Sequence, residues 1–138
     1  MMHVATARTQ TTRAKPWIRP LIVDLGCCGV SALAVGAPGY DVPGFDGSAY
    51  DLEPEQTNVL IVAGRVSAAF APMLRALYGR IAAPRWVIAY GTCAISGAIL
   101  NTLSTEQIIP VDILISGCPP PARALYKALA RISPRRQA

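Results

Sequence analysis

A chain of 138 residues is long enough for one domain with a hydrophobic core of its own. It is 52% hydrophobic and 15% charged, yet no apolar run approaches the roughly 20 residues that cross a bilayer and no signal-peptide core stands near the start, so the expectation is a cytoplasmic or membrane-peripheral chain without a transmembrane helix. The net charge of +5 does not mark a nucleic-acid binder, because the aromatic residues are not interleaved with the basic ones and no nucleic-acid motif is present.

The basic residues gather at the ends. Arg8, Arg13, Lys15 and Arg19 precede the first acid, Asp24, and Arg131, Arg135 and Arg136 lie close to the end of the chain. They read as solvated tails, with an acidic lipid surface or an acidic partner as the other use. Residues 1–16 are polar, rich in Thr and aperiodic, and are expected to be a poorly ordered basic tail. The remainder, 17–138, reads as a single domain. So few charges on so small a domain also suggest that a partner covers part of its surface.

In chain order, the first strand is expected at Leu21–Leu25, ending in Gly26 and the pair Cys27-Cys28. A short helix over Val30–Val35 follows, then a loop of turn formers from Ala37 to Gly47, closed by the acidic stretch Asp51-Leu52-Glu53-Pro54-Glu55. The second strand spans Asn58–Ala63 and ends in Gly64 and Arg65. A helix over Ser67–Arg80 is capped by Ser67, with Pro72 in or near its first turn. Phe70, Met73, Leu74, Leu77, Tyr78 and Ile81 recur at helical spacing and are expected in the core. The third strand, Trp86–Tyr90, ends in Gly91-Thr92-Cys93, followed by a short helix over Ala94–Leu100 and a connector over Asn101–Gln107. The fourth strand, Val111–Ile115, ends in Ser116-Gly117-Cys118. Pro119-Pro120-Pro121 then forces an extended turn and starts a helix whose buried face is Ala122, Leu125, Leu129 and Ile132.

The four apolar runs do not alternate with polar residues, which is how strands buried on both faces of a parallel sheet read. The fold class is therefore α/β, with a central parallel sheet of about four strands. Crossover connections return each strand to the same edge, so the residues that follow the strands share one end of the sheet, where ligands of open α/β sheets bind. All four cysteines stand there, and glycine in each turn tolerates positive φ and lets a bulky ligand approach the backbone.

Four thiolates suit zinc or an iron–sulfur cluster. The cysteines lie 1, 65 and 25 positions apart, which leaves no knuckle of the kind that holds structural zinc. A cubane accepts ligands from several strand ends, so the pattern favours a [4Fe-4S] cluster, with zinc and four unliganded cysteines as the alternatives. His3, in the tail, is the one histidine, so no catalytic triad can be built, and no phosphate-binding loop is present.

Cys27-Cys28, Gly91-Thr92-Cys93-Ala94 and Gly117-Cys118-Pro119-Pro120 resemble the 20 kDa, cluster-bearing subunit of NADH–quinone oxidoreductase, respiratory complex I. Val59–Gly64, Pro84–Ile88 and Ile109–Asp112 extend the likeness, which runs from about Leu21 to Leu129. The resemblance implies a three-layer, flavodoxin-like domain whose one cluster is ligated by Cys27, Cys28, Cys93 and Cys118. It implies electron transfer to quinone at the interface with a large subunit related to the catalytic subunit of nickel–iron hydrogenases. It also implies further iron–sulfur and membrane subunits, and a peripheral place on the cytoplasmic face of the inner membrane.

The same superfamily includes small subunits of membrane-bound, energy-converting hydrogenases, which Ala94–Ile99 resembles more closely; that is the second reading. A zinc-stabilised interaction domain is the reading of another class. Two positions depart from the complex I pattern: Ser31 stands where a glutamate is usual, and Glu55 where an arginine is usual. Arg65 takes, after the second strand, the place that cysteine takes after the other three. It is expected to tune the cluster, or else to meet the acidic stretch over residues 51–55.

Overall fold

The computed structural model describes residues 18–34, 53–97 and 102–132. The expected tail over 1–16, the turn-rich loop over 37–47 and the end of the chain beyond 132 lie outside them.

The four apolar runs form one fully parallel sheet in the order β1 (Pro20–Leu25), β2 (Val59–Gly64), β4 (Trp86–Tyr90) and β6 (Ile113–Ile115). Burial explains why Val, Ile and Leu dominate them. All six residues of β2 are buried, and they divide by parity between two cores. Val59, Ile61 and Ala63 join Ile22, Ile88, Tyr90 and Ile115 on one face, against Cys28 and Ala32 of α1 (Cys27–Leu33) and Leu125, Ala128 and Leu129 of α4 (Ala122–Arg131). Leu60 and Val62 join Val87, Ile108 and Ile109 on the other face, against Ala71 and Leu74 of α2 (Ala71–Arg80). This is the three-layer α/β architecture expected from the sequence. Each fully buried Leu or Ile in it contributes about 1.5–3 kcal/mol.

Register aligns the carboxyl ends of the strands. Leu25 pairs with Gly64, Ala63 with Tyr90, and Tyr90 with Ile115. One or two residues beyond, Gly26, Arg65, Thr92 and Gly117 fall in a row across the end of the sheet.

Several boundaries differ from expectation, each for a local reason. Helix α1 starts at Cys27 rather than Val30, so the cysteine pair lies inside the first helical turn. Helix α2 starts at Ala71 rather than Ser67, because β3 (Val66–Ser67) pairs antiparallel with β5 (Thr102–Leu103). Ser67 still serves the helix entry: Phe70 N donates to its Oγ at 3.2 Å, and Pro72 lies in the first turn. Strand β6 starts at Ile113 rather than Val111, because the Asp112 carboxylate takes the Val87 N–H at 2.8 Å that a strand carbonyl would otherwise receive. Helix α3 (Thr92–Ser96) likewise starts before Ala94 and stops at Gly97, whose left-handed conformation ends it.

Met73 is 57% exposed, not in the core: ten residues of α2 present a narrow apolar face, filled by Leu74 with Ile81 just beyond, while Phe70 and Tyr78 pack at its rim. Arg19 is no tail residue. Its side chain donates to Gln56 O at 2.5 Å, and its backbone N donates to Asn58 Oδ1 at 2.8 Å. Among the described residues no helix is long and apolar enough to cross a membrane.

Candidate functional site

The four cysteines stand at one end of the sheet, as expected, but in different settings. Cys27 and Cys28 open α1, Cys93 is the second residue of α3, and Cys118 lies in the irregular loop between β6 and α4. All are free thiols; Cys27 and Cys118 are exposed, Cys93 is half-buried and Cys28 is buried. The Cys28 thiol is pushed up to about 11 by burial first, then by the charge and hydrogen bond of Cys27 and by the charges of Cys93 and Cys118. The electrostatic coupling makes one group of thiols brought from three strand ends, with Cys28 at its buried side.

Glycine shapes the space around that sulfur. Gly91 has φ +107°, and a methyl group built on it would collide with Cys28 Sγ. Gly117 has φ +143°, and a methyl group there would stand 2.6 Å from Pro120 Cα. Both positions need glycine for conformation and for space together. The expectation fails at Gly26, whose backbone is extended and whose Cβ position is open.

The thiol donor set, gathered around a buried member and walled by glycine, fits a metal–sulfur group. Among the described residues no three His, Cys, Asp or Glu side chains are grouped to hold a single metal ion. A cubane spreads its thiolates over separate irons.

Hydrogen bonds lock the turns to one another. Thr92 N and Oγ1 both donate to Gly117 O, at 2.9 and 3.1 Å, and Gly117 N donates back to Thr92 Oγ1 at 3.1 Å. The residue before Cys93 thus grips the residue before Cys118. Behind α3, buried Thr105 donates its hydroxyl to Ala94 O at 2.7 Å. Thr92→Val keeps the shape and removes the hydroxyl. Because Thr92 is exposed and water replaces part of the loss, the expected cost is about 1 kcal/mol, read as a fall of about 4 °C in thermal unfolding. An unchanged Tm would mean that the backbone pairing alone holds the two turns.

Sequence reasoning missed Thr92 and also Tyr90. The Tyr90 hydroxyl donates to Pro120 O at 2.7 Å and lies 3.0 Å from Ser31 Oγ. The signal was there: a tyrosine ending an aliphatic strand must find a partner for its hydroxyl when buried.

Arg65 is exposed and follows the end of β2, between the Gly26 and Thr92 positions of its neighbours. Of the acidic stretch over 51–55, Asp51 lies outside the described residues, and Glu53 and Glu55 pair with Arg80. Arg80 bonds Glu55 at 2.7 Å and reaches Glu53 at 4.0 Å. The Glu55 carboxyl is held below its ordinary range by its own backbone N–H first, then by the Arg80 hydrogen bond.

Fold and site together define a parallel α/β domain with a four-thiol site at the carboxyl end of its sheet. The chain belongs to the family of the 20 kDa subunit of NADH–ubiquinone oxidoreductase, whose model matches residues 26–132. It is 40% identical over 117 residues to an NADH-quinone oxidoreductase subunit of Thermobifida fusca, an alignment covering 82% of this chain and 63% of that one. It is 36% identical to an NADH-quinone oxidoreductase subunit of Koribacter versatilis, over 94% of this chain and 65% of that one. The chain thus spans somewhat under two thirds of the length of these relatives. A chain of the membrane-bound sulfane sulfur reductase, an archaeal respiratory membrane complex, shares the fold with a TM-score of 0.65 at 22% identity, over 87% of this chain and 75% of that one.

Proposed function

We propose that Cys27, Cys28, Cys93 and Cys118 hold one [4Fe-4S] cluster, and that the chain is the electron-transfer subunit of a complex I-like NADH–quinone oxidoreductase. It delivers electrons to quinone where it meets a large subunit related to the hydrogenase catalytic subunit, and it sits peripherally on the cytoplasmic face of the membrane. The observation that carries this reading is the convergence of four free cysteines, from the turns after three parallel strands, on one end of the sheet. The family membership agrees with it.

A cubane cluster supplies one-electron transfer. The chain's own residues do the rest. Buried Cys28 would seat the group against the sheet, Gly91 leaves room for the Cys28 sulfur and Gly117 for the Pro120 turn, and Thr92 fixes two of the ligand turns relative to each other. The exposed apolar side chains Val30, Leu33, Met73 and Leu114 support a surface shared with partner subunits. Mixing the anaerobically reduced complex with a water-soluble quinone is the direct test. Rapid reoxidation supports the quinone reading. Hydrogen release with no response to quinone supports the second reading, a membrane-bound hydrogenase small subunit, which the Ala94–Ile99 segment favours.

Arg65 supplies a further prediction. A four-thiolate cubane is a net anion, and reduction adds another negative charge, so a guanidinium at this sheet end stabilises the reduced form more. Arg65→Gln in the assembled complex is expected to lower the midpoint potential by on the order of tens of millivolts, less at high salt because the exposed charge is screened. An unchanged potential with normal assembly would leave Arg65 as a surface charge.

A further inference from the structure

Cys118 differs from the other three thiols in having no helix or strand of its own. Its loop must be placed by contacts from outside. Thr92 braces one side of it, through Gly117. The other side is held by two hydroxyls that converge on one carbonyl. Ser31 Oγ donates to Pro120 O at 2.6 Å, Tyr90 Oη donates to the same oxygen at 2.7 Å, and the two hydroxyl oxygens stand 3.0 Å apart. Ser31 lies one helical turn after Cys27 on α1, Tyr90 is fully buried at the end of β4, and Pro120 lies two residues after Cys118.

We infer that Ser31 and Tyr90 are positioning residues for the thiol site: through the Pro120 carbonyl they hold the Cys118 loop at a set distance from the helix that carries Cys27 and Cys28. This rests on the cluster reading for its purpose, but not for its geometry.

The proton inventory makes the brace specific. Two hydroxyl protons are available to these three contacts. Both protons go to Pro120 O, or one hydroxyl donates to the other, which donates to Pro120 O. In each of these two arrangements the buried carbonyl keeps at least one donor. Removing one hydroxyl therefore leaves the other to serve it, and removing both leaves the carbonyl with neither.

The test uses the full chain, purified anaerobically, with Ser31→Ala, Tyr90→Phe and the double variant. Cluster loss to a strong iron chelator is followed by absorbance, and the electron paramagnetic resonance line shape is recorded on the reduced protein. Amide hydrogen exchange at Gly117 and Cys118, the two residues of this turn that carry an N–H before the proline triplet, is measured on the metal-free chain. Each single variant is expected to speed cluster loss and exchange about threefold, and the double variant more than about thirtyfold, because an unserved buried carbonyl costs more than one lost bond. The double variant should also broaden the resonance, whereas Ser31→Thr in the Tyr90→Phe background should hold both rates near those of Tyr90→Phe alone.

Wild-type rates in the single variants, or a double effect no larger than the product of the singles, would overturn the inference. If the double variant does not fold, the singles decide, and wild-type exchange at Gly117 and Cys118 in either overturns it. Iron and sulfide analysis of the wild-type chain tests the cluster reading separately. The exchange measurement still decides the brace if that reading fails.

Discussion

Cys93→Ala is expected to leave the chain with little bound iron and to lower its thermal stability to that of the metal-free protein. Cys93 is half-buried at the start of α3, so removing its sulfur costs little packing by itself. The loss comes through the ligand. Metal binding at such sites is folding free energy, amounting to about 10–16 kcal/mol for four-ligand structural zinc, and a chain that no longer retains its metal group forgoes that contribution as a whole. Comparing variant and wild type after iron removal separates the two causes: metal-free chains should unfold within a few degrees of each other, and iron-loaded chains should not. Full iron content with unchanged spectra in Cys93→Ala would remove this residue from the ligand set.

Gly91→Ala should be among the most damaging single methyl groups in the described chain. It forces a residue with a Cβ to φ +107° and drives that carbon into Cys28 Sγ. Holding a non-glycine residue in such a conformation costs about 1–3 kcal/mol, and the sulfur beneath it belongs to a residue buried in the core shared by α1 and the sheet. The expected result is a fall of at least about 10 °C in unfolding temperature, together with loss of iron binding. Gly79→Ala is the control. Gly79 lies in α2, and a Cβ there meets nothing within 4 Å, so that change should stabilise the chain by about 0.5–1 kcal/mol. Equal tolerance of both substitutions would contradict the close packing of Gly91 on Cys28.

The sheet was legible because strands covered on both faces need continuous Val, Ile and Leu, and β2 is buried at every residue. The thiol site was legible for the same reason: parallel strands place the residues that follow them together, and all four cysteines follow strands. The β3–β5 ribbon was not, since two paired residues on each side carry no periodicity. Nor was the start of α1. Gly-Cys-Cys-Gly has poor helix propensity, and the helix forms there because packing Cys28 and Ala32 into the core rewards it. Met73 shows the opposite limit: helical spacing assigns a stripe but not its width, and the sheet covers Leu74 and not Met73. Ser31 was legible as a departure from the family pattern, while its contact with Tyr90 and Pro120 joins three segments far apart in sequence.

The central claim is that these four thiolates hold one cubane cluster. Iron and acid-labile sulfide analysis of the anaerobically purified chain, with resonance spectra before and after reduction, tests it most directly. The account predicts a brown protein with iron and sulfide in equal amounts, silent when oxidised and showing the signal of a single cubane when reduced. A colourless protein carrying one zinc per chain, or no metal at all, would contradict it.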